Sequence, residues 1–172
     1  MKKKLTCIVF TDLDGTLLHR DTFKFDSIKD FIKRLLNEGI IIIPNSSKTE
    51  NEIEKFKEEL GTAVPFISEN GSAIHGLNLI NPNFPNKIIL SREKEQLLKI
   101  FNSKIPERLL NKCIQIFKLS TKEQEKIFGQ KDERLKNVLR RKYSLPLLFN
   151  GDKVERNKLI KILNSNSLTL QE

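Results

Sequence analysis

Tryptophan is absent from this 172-residue chain, tyrosine and methionine occur once each, and cysteine and histidine twice each. These scarcities close off several classes of chemistry. Cys7 and Cys113 lie in predicted strands without metal-ligand spacing, so they read as small core hydrophobes in a reducing compartment. His19 falls in a predicted loop and His75 at a predicted strand end. Neither has a partner in a nucleophile–base arrangement, and both read as structural. No apolar run is long enough for a signal-peptide core or a membrane span, so the expected compartment is the cytoplasm. Internal repeats and low-complexity tracts are also missing.

Charge of one sign is scarce only in the second half. Residues 1–83 carry 11 Lys/Arg against 12 Asp/Glu, whereas residues 84–172 carry 20 against 10, which accounts for the net charge of +9. A basic half raises the idea of nucleic-acid binding. Its lysines, however, mostly alternate with Glu and Asn on predicted helix surfaces, and they form no aromatic-interleaved patch. A solvated face is the preferred reading, attraction of an anionic substrate the second, and nucleic acid the last. With 38% hydrophobic and 31% charged residues, the chain can bury a real core, as one domain or two small ones.

What is present is concentrated in one stretch. Leu5-Thr6-Cys7-Ile8-Val9-Phe10-Thr11 is a near-continuous apolar run rich in β-branched residues, the pattern of a strand buried on both faces of a parallel sheet. It ends in Asp12-Leu13-Asp14-Gly15-Thr16-Leu17. Two carboxylates at the end of a buried strand are costly unless their charge is compensated, which points to a bound cation and chemistry. A bare Asp-x-Asp-Gly would read as a turn in which Asp14 caps the next segment. The strand in front of it favours a functional site.

Strand plus Asp-x-Asp-Gly-Thr resembles the first motif of the haloacid dehalogenase-like phosphohydrolases. The resemblance implies Asp12 as the nucleophile that takes a phosphoryl group, and Asp14 as the acid that protonates the leaving oxygen and later activates water. It also implies Mg²⁺ held at Asp12 and Asp14, a hard cation that cancels the repulsion between carboxylate and phosphate. Gly15 would let the backbone turn tightly.

Downstream, Asp26 or Ser27 can cap a helix whose Ile28, Phe31, Ile32, Leu35 and Leu36 share one stripe, with Gly39 ending it. Ile40-Ile41-Ile42-Ile43 reads as a second buried strand, and Thr49 with Glu52 as a capping box for a helix carrying Ile53, Phe56 and Leu60. Strands over 64–68 and 72–75 then flank Glu69-Asn70-Gly71 as a hairpin. This βαβαβ order puts the Ser46-Ser47-Lys48 cluster, after the second strand, on the same sheet edge as Asp12 and Asp14. A hydroxyl and an ammonium there suit phosphate oxygens, and their bland alternative is a helix start. The resemblance makes Ser46 the second-motif hydroxyl. Ser-Ser-Lys-Thr with the later Ser68-Glu69-Asn70-Gly71 is similar, more narrowly, to the mannosyl-3-phosphoglycerate phosphatases.

Residues 78–86, polar and containing Pro82 and Pro85, read as a linker, which divides the chain into a core over 1–82 and an α+β cap over 83–172. The cap is expected to have strands over 87–90, 112–117 and 143–149, a Ser91-capped helix with Leu97, Leu98 and Phe101, one or two helices over 121–141, a helix through Leu159, Ile160 and Leu163, and a strand beginning at Leu168. Arg140-Arg141-Lys142-Tyr143-Ser144-Leu145-Pro146 resembles the family's substrate-facing cap segment. Arg141 and Ser144 match that pattern and become candidates for binding the substrate; Leu145 departs from it.

The family's acidic motif has one counterpart, Gly151-Asp152-Lys153-Val154-Glu155-Arg156-Asn157, where Arg156 puts a cation in place of a metal-side carboxylate. An Asn-Gly-Asp turn capping a helix explains it instead. The fold class is therefore α/β: a partial Rossmann-like parallel-sheet core with an α+β cap, in which the C-terminal half of the core, its lysine and its acidic motif are missing. The resemblance implies a Mg²⁺-dependent phosphatase acting on a small anionic sugar phosphate of the mannosyl-3-phosphoglycerate type, or another sugar phosphate, and completed by a separately encoded C-terminal segment. The alternatives are a non-catalytic remnant or subunit and a basic nucleic-acid-binding protein.

Overall fold

β1 (Cys7–Thr11) and β2 (Ile40–Pro44) lie parallel, Cys7 opposite Ile40 and Thr11 opposite Pro44, joined through helix α1 (Asp26–Asn37). They open a computed structural model that describes residues 7–171. Leu5 and Thr6 of the expected first strand lie outside the described residues. Helix α2 (Glu50–Leu60) follows β2, and β3 (Phe66–Ser68) reaches β2 by a parallel bridge between Asn45 and Ile67. β3, β4 (Ala73–His75) and β5 (Lys87–Ile89) then form an antiparallel sheet. Parallel β-α-β order at the start and antiparallel strands after it give the mixed α/β architecture expected from the periodicity.

The core of this first unit is Leu13, Leu18, Phe25, Ile32, Ile42, Ile53, Phe56, Leu60, Val64 and Phe66. α1 contributes Ile32, with Ile28, Leu35 and Leu36 half-buried, whereas Phe31 is exposed with the Arg34 guanidinium over its ring. α1 starts at Asp26 itself, and the residue before it, Phe25, offers no capping side chain, so neither Asp26 nor Ser27 caps. Gly39, at φ 88°, takes the left-handed turn that ends the helix. α2 begins with the reciprocal Thr49–Glu52 capping box read from the sequence.

β1 differs from expectation. Ile8, Val9 and Phe10 are 40%, 39% and 62% exposed, and Cys7 is exposed with them. The strand pattern was right, but burial needs a neighbour on each side, and among the described residues β1 pairs with β2 alone.

The chain separates into two compact units, Met1–Ser91 and Arg92–Glu172. The division falls after β5 rather than at 82/83, because Lys87–Ile89 pairs with β4 instead of opening the second module. The second unit contains α3 (Lys94–Lys104), α4 (Glu107–Leu110), β6 (Cys113–Gln115), α5 (Thr121–Phe128), α6 (Asp132–Leu139), β7 (Leu147–Phe149) and α7 (Lys153–Ser165). β6 and β7 pair antiparallel, and Phe101, Ile105, Leu109, Leu159 and Leu163 form the core beneath. Glu93, not Ser91, stands at the N-cap of α3. Leu168 and Leu170 pack on this core without forming the expected strand. Cys113 is half-buried, and burial pushes its thiol pKa up. No helix among the described residues is long and apolar enough to cross a membrane.

Candidate active site

Parallel pairing ends β1 and β2 on one edge, with the Asn45 amide still donating to the Thr11 carbonyl at 2.8 Å. Asp12 follows Thr11 directly. Between Asp12 and Asp14, Leu13 is fully buried, while both aspartates are exposed, against the expectation of buried carboxylates. The backbone closes a tight turn here: the Leu18 amide donates to the Leu13 carbonyl at 2.7 Å and the Gly15 amide to the Leu18 carbonyl at 2.9 Å. Gly15 sits at φ 74°, a conformation L side chains rarely adopt. Asp12 Oδ1 accepts from the Leu13 amide at 2.7 Å.

Lys48 comes to this turn from the second strand's end. Its side chain is nearly buried, and its ammonium lies 2.9 Å from Asp14 Oδ1, 3.5 Å from Glu52 Oε1 and 4.9 Å from the centre of the Phe23 ring. The structure thus brings Asp14 and Lys48 together. Ser46 is buried, its hydroxyl accepting from the Lys48 amide at 3.3 Å, while Ser47 is exposed. The loop over 46–48 is stitched to the β3–β4 turn: the Ser46 amide donates to the Ile67 carbonyl at 3.1 Å, the Glu69 amide to Lys48 at 2.9 Å and the Asn70 amide to Ser46 at 3.0 Å.

Arg141 and Ser144 lie in the second unit, where an Arg141 Nη1 donates to Ser144 Oγ at 3.1 Å. Asp152 caps α7, accepting from the Glu155 amide at 2.8 Å, the role the Asn-Gly-Asp turn implied.

His75 has partners that the sequence did not show. It is buried, with Nε2 3.0 Å from Ser68 Oγ and Nδ1 3.5 Å from Glu50 Oε1. The signal lay in the hairpin: Ser68 pairs with Ala73, and His75 is two residues along on the same face, a diagonal neighbour. His19 has the structural role expected, its Nδ1 accepting from the Asp21 and Thr22 amides at 3.3 and 3.4 Å.

Among the described residues, no group of three or more His, Cys, Asp or Glu side chains could hold a metal ion. Two exposed carboxylates, Asp12 and Asp14, nevertheless suit the limited demand of Mg²⁺, which takes one or two carboxylates and completes its shell with water and phosphate oxygens.

The family model described as haloacid dehalogenase-like hydrolase matches residues 9–169. A glucosyl-3-phosphoglycerate/mannosyl-3-phosphoglycerate phosphatase of Persephonella marina is 42% identical over 67 residues, 39% of this chain and 25% of that protein. A mannosyl-3-phosphoglycerate phosphatase of Pyrococcus horikoshii is 46% identical over 67 residues, 39% of this chain and 27% of its own length. Each match therefore spans about a quarter of the relative. A phosphatase structure of the HAD superfamily from Bacteroides thetaiotaomicron superposes with a TM-score of 0.59 at 16% identity, over 94% of this chain and 62% of the other. A Thermotoga maritima structure gives 0.56 at 17% identity, over 93% and 61%. These two carry the fold alone.

Proposed function

We propose that this chain, a member of the haloacid dehalogenase-like hydrolase family, serves in the hydrolysis of phosphoric monoesters by way of a phosphorylated Asp12. The observation that carries the reading is the 2.9 Å pairing of Lys48 with Asp14. It joins the turn that follows the first strand to the loop that follows the second, the two segments that carry Asp12 and Ser46.

The chemistry assigns each group one task. An Asp12 carboxylate oxygen attacks phosphorus, and the bond from phosphorus to the ester oxygen breaks. Asp14, as its carboxylic acid, gives the departing oxygen a proton. Water then attacks the acyl phosphate; the Asp14 carboxylate takes its proton, and phosphate leaves Asp12 free again. Splitting one displacement into two lowers each barrier. In this reading Lys48, paired with Asp14, adds positive charge beside the incoming phosphate, and Ser46, whose hydroxyl accepts from the Lys48 amide and keeps its own proton, donates to a phosphate oxygen. Mg²⁺, when bound by Asp12 and Asp14, supplies charge neutralisation there.

The substrate we propose is a glycosyl-3-phosphoglycerate, after the names of the curated relatives. Arg141 and Ser144 are assigned to its part that does not react. The exposed apolar side chains of β1 support a further component: a segment beyond these residues that covers the strand and supplies a lysine and an acidic pair. Phosphate release from mannosyl- and glucosyl-3-phosphoglycerate with Mg²⁺, with and without that segment, tests the reading. Arg141→Ala is expected to raise KM for the glycosyl substrate several-fold and to spare a small aryl phosphate. Equal losses on both would remove Arg141 from the site.

A further inference from the structure

We propose that His75 is a positioning residue that locks the loop over 46–48 from both sides, a role that rests on the phosphatase reading above. His75 is 5% exposed, and its ring stacks on Phe66 with centroids 4.3 Å apart and planes 9° from parallel. Its two nitrogens reach different elements. Nδ1 meets Glu50, in the first turn of α2 and two residues beyond Lys48; Lys87 Nζ stands 3.0 Å from the other oxygen of the same carboxylate. Nε2 meets Ser68, the last residue of β3.

The two residues after Ser68 are those whose amides hold the loop, Glu69 to the Lys48 carbonyl and Asn70 to the Ser46 carbonyl. Both sit at positive φ, 48° and 58°, which a non-glycine residue keeps only when its surroundings enforce it. One imidazole thus ties the start of α2 and the root of that turn together, with the phosphate-facing loop between them. A serine, a histidine and a carboxylate in this order also describe a hydrolytic triad, but Ser68 is completely buried and no substrate reaches its hydroxyl. Its place is structural support for Ser46 and Lys48. The carboxylate of Glu50 accepts and cannot donate, so Nδ1 carries the ring proton in neutral His75 and Nε2 accepts from the Ser68 hydroxyl.

Nitrogen-15 correlation spectra of the imidazole are expected to show the Nδ1-protonated tautomer; a dominant Nε2-protonated ring overturns the proposal. His75→Phe keeps a stacked ring and removes both nitrogens. It is expected to speed amide exchange at Glu69 and Asn70 roughly tenfold while leaving the Ile53 and Leu60 amides at their original rates. On an aryl phosphate, kcat should fall about tenfold with less change in KM, as for a displaced catalytic loop rather than a lost substrate contact. If His75→Phe does not fold, Ser68→Ala leaves the ring in place and should raise exchange at the same two amides. Wild-type exchange there in a folded variant overturns the role. Absence of turnover on any phosphate ester by the wild-type protein would instead defeat the phosphatase reading, with the tautomer and exchange results still deciding the role of His75.

Discussion

Leu13, wholly buried between Asp12 and Asp14, and Lys48, nearly buried beneath Asp14, are the two side chains that give the first-motif turn its shape. The turn that starts at Leu13 points this side chain inward and leaves Asp12 and Asp14 exposed. Lys48 is shared between Asp14 and Glu52, and its removal leaves two carboxylates without their common partner. Lys48→Met keeps most of the stem packing. It is expected to cost about 1.5–3 kcal/mol of transition-state stabilisation, roughly one to two decades in kcat/KM. Steady-state kinetics on an aryl phosphate check this, and unchanged kcat/KM would separate Lys48 from the chemistry. At this scale the positions of Asp12, Asp14, Ser46 and Lys48 after the ends of two parallel strands were legible, because strand order alone sets them. The Asp14–Lys48 pair was not, because it joins a turn and a loop far apart in sequence; the Ser68–His75 contact follows from the hairpin register, but the Glu50–His75 contact depends on how α2 packs on that hairpin.

Helix starts carry the clearest local signal, and α2 and α7 show it. Thr49 with Glu52, and Asp152 with Glu155, form reciprocal caps because each offers an acceptor to an amide that the helix itself cannot satisfy. Thr49→Ala should destabilise the first unit by about 1 kcal/mol, measured as a lowered denaturation midpoint at constant m-value. Glu155 is bound more closely. Its carboxyl is held below the ordinary glutamate range, first by hydrogen bonding to Lys112, then by the Asp152 amide, with Arg108 adding attraction. A depressed native pKa means the unfolded chain takes up the proton first. The pairing therefore stabilises the fold above about pH 4.3 and loses that contribution as pH falls through the lowered native value. Glu155→Gln is expected to flatten the acid limb of the stability curve below pH 4.3; an unchanged limb would place the acid sensitivity elsewhere. Ends without such chemistry were misread. α1 begins after Phe25 without a side-chain cap, and the short α4 has no apolar periodicity long enough to register.

For the whole molecule, the α/β class and the order of elements could be read from period and punctuation. The exposure of β1 could not, since a buried-strand composition reports only what a strand is suited to and not whether a neighbour is present. The division at Ser91 was missed for a related reason: β5 follows a proline-rich linker, yet its partner is β4. The apolar β1, the carboxylates beyond its end and the lysine from the next strand's end converge on one claim, that Asp12 carries the phosphoryl group. It is tested by mixing the protein, together with the proposed covering segment, with an aryl phosphate and Mg²⁺, quenching in acid, reducing with borohydride and mapping the modified residue by mass spectrometry. The account predicts the reduced acyl phosphate at Asp12 and no modification in Asp12→Asn. Phosphate release that leaves Asp12 unmodified, at a rate that Asp12→Asn retains, would contradict it.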